Sequence, residues 1–172
     1  MSVSPTSQKI HDLVIRSFTK VFETMARATC VFQDYELHSG TKSSSPKLDP
    51  AKDGSDQVFA ASVTFAGRLN GTCYLFLSNP FAHHISSEIT GIPMEKLRDA
   101  AVRDVCGELA NMFTGTFTSA LADLGHSISL SVPTVKRGKR VAIAVSGTSS
   151  HVRYAFDVND YRVHADVLLM EN

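Results

Sequence analysis

The sequence predicts an α+β fold: long helices packed on one face of a mainly antiparallel β-sheet. Three observations carry this prediction. Two long stretches place apolar residues at helical spacing, Ile10, Val14, Phe18, Val21 and Met25 in the first, and Val102, Cys106, Leu109 and Phe113 in the second. Other stretches alternate apolar and polar residues, as half-buried strands require. Their order is helix, strand, hairpin, two helices and then four strands, a layered arrangement of helices on a sheet.

The 172 residues suit one domain, 1–172, with enough chain to bury a core. Formal charge sums to +0, so no global field draws the chain to nucleic acid or membrane. No window approaches eighteen consecutive apolar residues, so no membrane span is expected. Met1 to Thr6 lack the charged and apolar regions of a secretion signal, and a cytoplasmic location is expected. Cys30, Cys73 and Cys106 are isolated and lack metal-ligand spacing; free thiols in a reducing compartment are the expectation.

Ser4-Pro5 offers an N-cap and a first-turn proline for the first helix, which runs to about Ala28, with Leu13 and Phe22 widening its apolar stripe. A strand follows from Cys30 to Leu37. Residues 39–56 are rich in Ser, Lys, Asp, Gly and Pro, with Leu48 the one apolar side chain to bury, and predict a mobile polar loop. Phe59, Ala61, Val63 and Phe65 alternate into the next strand, Asn70-Gly71 signals a type I′ hairpin, and Thr72 to Ser78 returns. Asn79-Pro80 starts a short helix through Ile89, ended by Gly91.

The central helix is expected from about Met94, after Pro93, with Gly115 as a kink and Gly125 as its C-cap. Val105, Ala120 and Leu124 flank its core stripe. Ile128, Leu130 and Val132 alternate as a strand that Pro133 stops. Lys136-Arg137-Gly138-Lys139-Arg140 reads as a charged turn before a strand of Val141, Ile143 and Val145. Val152, Tyr154 and Phe156 make the next strand. Asn159-Asp160 turns the chain, and Val163 to Met170 closes the sheet as a candidate edge.

Asp104, Glu108, Asn111 and Gly115 fall opposite the core stripe of the central helix, at spacings of four, three and four. An ordinary solvated face carries long Lys and Glu side chains. Here the neighbours are Ala100, Ala101, Gly107 and Gly115, although Gly costs about 1 kcal/mol relative to Ala inside a helix. Such a face is flat and low, and a partner's backbone can approach it closely.

The set Asp104-x-x-x-Glu108-x-x-Asn111, followed about twenty residues later by Pro133 in Ser131-Val132-Pro133-Thr134-Val135, resembles the signature of the CheX/CheC chemotaxis phosphatases. Residues 94–146 carry most of the resemblance, which is closer to the single-site CheX branch than to the two-site CheC branch. It implies the α+β fold already reached. Phe22-Glu23-Thr24-Met25-Ala26 can be set against Gly107-Glu108-Leu109-Ala110-Asn111, a pseudo-repeat with Ala26 where the amide stands.

The resemblance implies a substrate, the aspartyl phosphate of a CheY-like receiver domain in a response regulator, and catalytic residues, Asn111 and Glu108. It has the receiver supply Mg and a lysine, with no cofactor of the chain's own. An amide can accept and donate a hydrogen bond, so Asn111 can aim a water without titrating. Glu108 would pair with the receiver's lysine. Asp104, Gly107, Gly115 and Pro133 would border the contact. No Gly-x-Ser-x-Gly elbow and no helical His/carboxylate metal spacing is present, which argues against a self-sufficient hydrolase. His83-His84 and the other histidines read as surface or packing residues. Taken singly, Asp104, Glu108 and Asn111 are a solvated face, and the basic run a charged hairpin tip before a nucleic-acid contact. A non-enzymatic receiver-binding or flagellar-switch-like module remains the alternative. The resemblance leaves a homodimer through sheet edges open.

Overall fold

The computed structural model describes residues 7–123, 125 and 127–170; Ser4-Pro5 and Leu124 lie outside the described residues. The order is α1 (Ser7–Ala26), β1 (Cys30–His38), β2 (Ser43–Ser44), α2 (Pro50–Asp53), β3 (Val58–Gly67), β4 (Gly71–Ser78), α3 (Asn79–Thr90), a single 3-10 turn (Met94–Lys96), α4 (Asp99–Ala122), β5 (Ile128–Leu130), β6 (Thr134–Gly138), β7 (Ala142–Ile143), β8 (Thr148–Val158) and β9 (Tyr161–Met170). The main sheet is antiparallel throughout, in the order β1-β8-β9-β4-β3-β5, with β6 also pairing β3.

The helical stripes read from the sequence bury as expected. Val14, Phe18 and Phe22 of α1 and Val102, Cys106, Phe113 and Phe117 of α4 are 0% exposed. Phe18 stacks on Phe22 at 4.5 Å and on Phe156 of β8 at 3.7 Å, and meets Phe113 edge-on at 5.9 Å. Such ring pairs add about 0.5–1.5 kcal/mol each beyond area burial. They lock α1 and α4 side by side on the sheet and thereby fix which face of α4 looks out.

Several boundaries differ from the sequence expectation. Pro93 leads only the 3-10 turn; Leu97 and Arg98 are extended, and α4 begins at Asp99. An acidic residue suits that first turn, and Asp99 is further held by Arg103 and by Arg137 of β6, each at 2.7 Å. Their positive charge, the Arg103 hydrogen bond first, holds its carboxyl below the usual carboxylate range. Gly115 does not break α4, whose C-cap is Asp123 and not Gly125. The first residue of the short helix is Asn79, but its cap is Ser78, whose hydroxyl accepts from the Phe81 N–H.

The left-handed two-residue turn lies at Asn159-Asp160, with φ of 46° and 69°, between β8 and β9. Asn70-Gly71 is not a type I′ turn. Gly71 opens β4, pairs with Phe65, and has no left-handed φ. A Cβ on Gly71 would meet the Leu168 carbonyl oxygen at 2.2 Å and the Phe65 ring at 2.5 Å, so the glycine serves close packing. Asn70 accepts from the Gly67 N–H through its side chain, at 2.8 Å.

The outer face of the sheet is not bare. Val58, Ala60, Phe76 and Leu168 form a second core with Leu48, Val141, Ile143 and Val145. The segment 39–56, expected as an unstructured loop, carries β2 and the capped helix α2, and β2 pairs β7 off the main sheet. Burying Leu48, which is 8% exposed, anchors it. Val141, Ile143 and Val145 do alternate, but they lie over the main sheet instead of extending it. β9 lies between β8 and β4, so the strand expected at an edge is interior; β1 forms one edge and β5 with β6 the other.

Candidate functional site

The packing of α4 decides what it displays. Because Leu109, Ala110 and Phe113 face the core, the residues between them on the wheel face out. Asp104 and Glu108 are exposed, and Asn111 and Gly115 are partly exposed. Among the described residues none of the Asp104, Glu108 or Asn111 side chains makes a hydrogen bond or ion pair. A carboxylate and an amide one helical turn apart are thus left uncommitted, with Cβ atoms about 5–6 Å apart.

Two depressions flank this ridge. A groove of about 590 Å³ runs between α4 and α1, with Asn111 and Gly115 on one wall and Arg16 and Lys20 on the other. A smaller, mainly apolar notch of about 270 Å³ is lined by Met25, Ile89, Asp104, Val105, Glu108 and Leu109. Glu108 therefore borders one depression and Asn111 the other.

Gly107 and Pro133 meet, but not on the open face. Gly107 is buried. A Cβ there would touch Pro133 Cβ and Val135 Cγ2, both at 3.4 Å. Its missing side chain lets the segment before β6 lie against α4. Gly115 has more room, with Leu130 Cδ1 at 3.7 Å from a built Cβ. Next to this contact Val132 is 83% exposed and Leu130 38% exposed. The rim of the ridge on the β5–β6 side is accordingly apolar.

The sequence missed Arg16, Lys20 and Val132. Arg16 and Lys20 stand four apart on the polar face of α1, a spacing visible in the chain. Which helix they would face depends on tertiary packing. Val132 was expected inside a strand; β5 ends at Leu130 and leaves it bare.

The basic run is not a hairpin tip. Lys136 and Arg137 lie in β6 against β3. Arg137 pairs with Asp99 and its guanidinium lies 5.6 Å from the Phe59 ring centre, while Lys139 pairs with Asp56 at 3.2 Å. These contacts already occupy much of the charge that a nucleic-acid surface would need. Among the described residues no three His, Cys, Asp or Glu side chains cluster as metal ligands. No described helix is long and apolar enough to cross a membrane. The three cysteines are free, as expected, with Cys73 and Cys106 buried and Cys30 partly so.

A family model described as chemotaxis phosphatase CheX matches residues 59–157, which contain the whole ridge and Pro133. The chain belongs to the CheX family. Its fold is shared with the CheX crystal structure from Desulfovibrio desulfuricans, at 19% identity and a TM-score of 0.75, covering 93% of this chain and 98% of that one. It is likewise similar to the CheX of Borrelia burgdorferi, solved as a CheX-CheY-BeF3-Mg2+ complex, at 13% identity and a TM-score of 0.70, covering 94% and 98%. A looser likeness, at 14% identity and a TM-score of 0.58, reaches Thermotoga maritima FliY over 96% and 91% of the two chains. No curated protein matches in sequence. At these identities the structural likeness speaks for the fold alone.

Proposed function

We propose that this CheX-family chain accelerates hydrolysis of the aspartyl phosphate on a CheY-type receiver domain. One observation carries the reading above the rest. Glu108 and Asn111 stand one turn apart on an open, low helix face, with no hydrogen-bond partner of their own among the described residues. Family membership supports it, and so does the fold shared with a CheX that was solved bound to CheY.

In this reading the ridge completes the receiver's site. The aspartyl phosphate is an acyl phosphate, a mixed anhydride that is already activated, so little covalent chemistry is left to supply. Asn111 enters beside the phosphoryl group; its carbonyl oxygen accepts from a water and its NH₂ donates to a phosphoryl oxygen. That places the water in line with phosphorus, and positioning of this kind is the larger part of catalysis in phosphoryl transfer. Glu108 pairs with the receiver's lysine and sets how deep Asn111 reaches. Asp104 and Gly115 mark the ends of the footprint, and Pro133, seated on Gly107, shapes its rim. The metal ion belongs to the receiver.

The test is a time course of a phosphorylated CheY-type receiver with and without the protein. Asn111→Ala should lower the accelerated rate by on the order of 10²-fold or more, a loss typical of removing one positioned hydrogen-bonding group, while complex formation persists. Glu108→Lys should weaken binding as well, by about 2–5 kcal/mol for an uncompensated partner. Parent-like rates from both variants would refute the assignment. The alternative reading is a non-enzymatic receiver-binding or flagellar-switch-like module. It predicts binding with no change in the lifetime of the receiver phosphate.

A further inference from the structure

Away from α4, on the outer face of the sheet, lies a small polar pocket of about 160 Å³. It is bounded by the turn 38–43 and the segment 145–151. Its lining includes His38, Ser39, Lys42, Ser43, Ser150 and His151. No carboxylate lines it. Two imidazoles, an ammonium and several hydroxyls around one small cavity form a donor set suited to an oxyanion.

His151 is the built part. It is 6% exposed, and its Nε2 lies 2.7 Å from an oxygen of Asp166, which is 0% exposed. Asp166 also accepts from Arg153 Nε at 2.7 Å and Nη2 at 2.8 Å. Arg153 donates further to the Ser44 carbonyl at 2.8 Å, and its guanidinium lies 5.3 Å from the Phe76 ring centre. The buried Asp166 is therefore already neutralised by an arginine. It fixes the imidazole with the Nε2–H pointing inward, the usual job of a carboxylate behind a functional histidine. The other nitrogen, Nδ1, makes no hydrogen bond to a described residue and is left for the pocket. His38 lies tilted beside it, with ring centres 4.9 Å apart, and is held from outside by Glu36 at 3.3 Å. Lys42 forms no ion pair among the described residues.

We infer that this pocket binds a phosphate-type oxyanion between His151, His38 and Lys42. With one ring nitrogen engaged by Asp166, His151 has the other, Nδ1, left for the pocket that it lines. The charged and titratable groups that act on His151 are Asp166 with Arg153 behind it, His38 with Glu36, and Lys42. His164, the neighbour of Asp166 on the same face of β9, also faces Arg153 and Asp166; burial, with Arg153 adding, pulls it down to about 4, so it stays neutral near pH 7. The occupant is inorganic phosphate or the phosphoryl group of a phosphate monoester whose organic part stays outside.

The test titrates inorganic phosphate, ribose 5-phosphate and sulfate into the whole protein at constant ionic strength, with chloride as control, followed by ¹H–¹⁵N spectra. The expected result is shifts concentrated at residues 38–43 and 148–151, absent with chloride. Stronger binding of ribose 5-phosphate than of phosphate identifies a monoester as the better occupant; the reverse identifies free phosphate. Lys42→Gln and His38→Gln, both at the surface edge of the pocket, should each weaken binding about fivefold with unchanged unfolding. His151→Gln should weaken it tenfold or more. Shifts scattered over other basic residues, equal effects with chloride, or full binding in Lys42→Gln and His38→Gln would each overturn the proposal. None of these readouts involves Asn111, so this site and the receiver phosphatase reading stand or fall separately.

Discussion

Replacing Gly107 by progressively larger side chains separates two roles that the sequence alone merges. A Cβ at this position would stand 3.4 Å from both Pro133 Cβ and Val135 Cγ2, the near edge of ordinary contact. Gly107→Ala therefore fits with little adjustment. It removes a helix-interior glycine, a gain of about 1 kcal/mol. Some of that is returned to the tight contact, and the net expectation is 0 to ~1 kcal/mol of added stability, an upper shift of about 2–4 °C in Tm for a domain near this size. Gly107→Leu adds three further carbons to filled space and should cost about 1–3 kcal/mol. Relief requires the Pro133 segment to lift from α4, moving Val132 and the rim of the ridge. Thermal and denaturant unfolding measure stability, and receiver dephosphorylation measures the site. Ala should keep the rate within about threefold, whereas Leu should lower both stability and rate. A destabilised Gly107→Ala would refute the packing account. A stable Gly107→Ala that cannot bind receiver would show that the glycine meets the partner and not Pro133.

Three further outcomes follow from the coordinates. Gly71→Ala places a methyl 2.2 Å from the Leu168 carbonyl oxygen, and denaturant unfolding should show a loss of at least about 2–3 kcal/mol, where a neutral result would mean the β4–β9 approach is looser than described. Burial, with Arg153 adding, pulls His164 down to about 4; an unfolded imidazole sits near 6.5, so the unfolded chain binds more protons between these values. Stability from this residue is complete above about pH 6.5 and lost as pH falls to about 4, by at most ~3 kcal/mol. The pH slope of unfolding over that window should shrink in His164→Gln. Ala26→Asn should destabilise by about 1–3 kcal/mol through an unpaired buried amide and add no dephosphorylation in an Asn111→Ala background; recovered activity there would reveal a second working site.

The helical faces were legible because their information is local. A 3.6-residue period and a core stripe suffice to say that Glu108 and Asn111 share a side, and burial of Leu109 and Phe113 sets that side outward. What was not legible depends on segments distant in the chain. Asn70-Gly71 carries the stronger turn signature, yet the left-handed pair is Asn159-Asp160, because Gly71 is taken by the approach of Leu168 and Phe65. A polar composition hid the ordered cover at 39–56, since one leucine and the carbonyl of Ser44 that Arg153 reaches are enough to anchor it. Gly107 looked like part of a bare surface until Pro133 was placed over it.

The same reasoning separates α1 from α4 where Phe22-Glu23-Thr24-Met25-Ala26 is set against Gly107-Glu108-Leu109-Ala110-Asn111. On α4 the core rows pass through Val102, Cys106, Leu109 and Phe113, so the position three after Glu108 escapes them. On α1 the row Val14, Phe18, Phe22 and Ala26 runs at a strict spacing of four, and Ala26 is 8% exposed. Glu23 is exposed, but the position three after it belongs to the core. An amide at 26 would face Phe22's neighbours and not a partner. Position 26 thus lies in the core row of α1, whereas position 111 lies outside the core row of α4. An acid at the right spacing on α1 is left as a surface charge, while α4 presents the acid and the amide together.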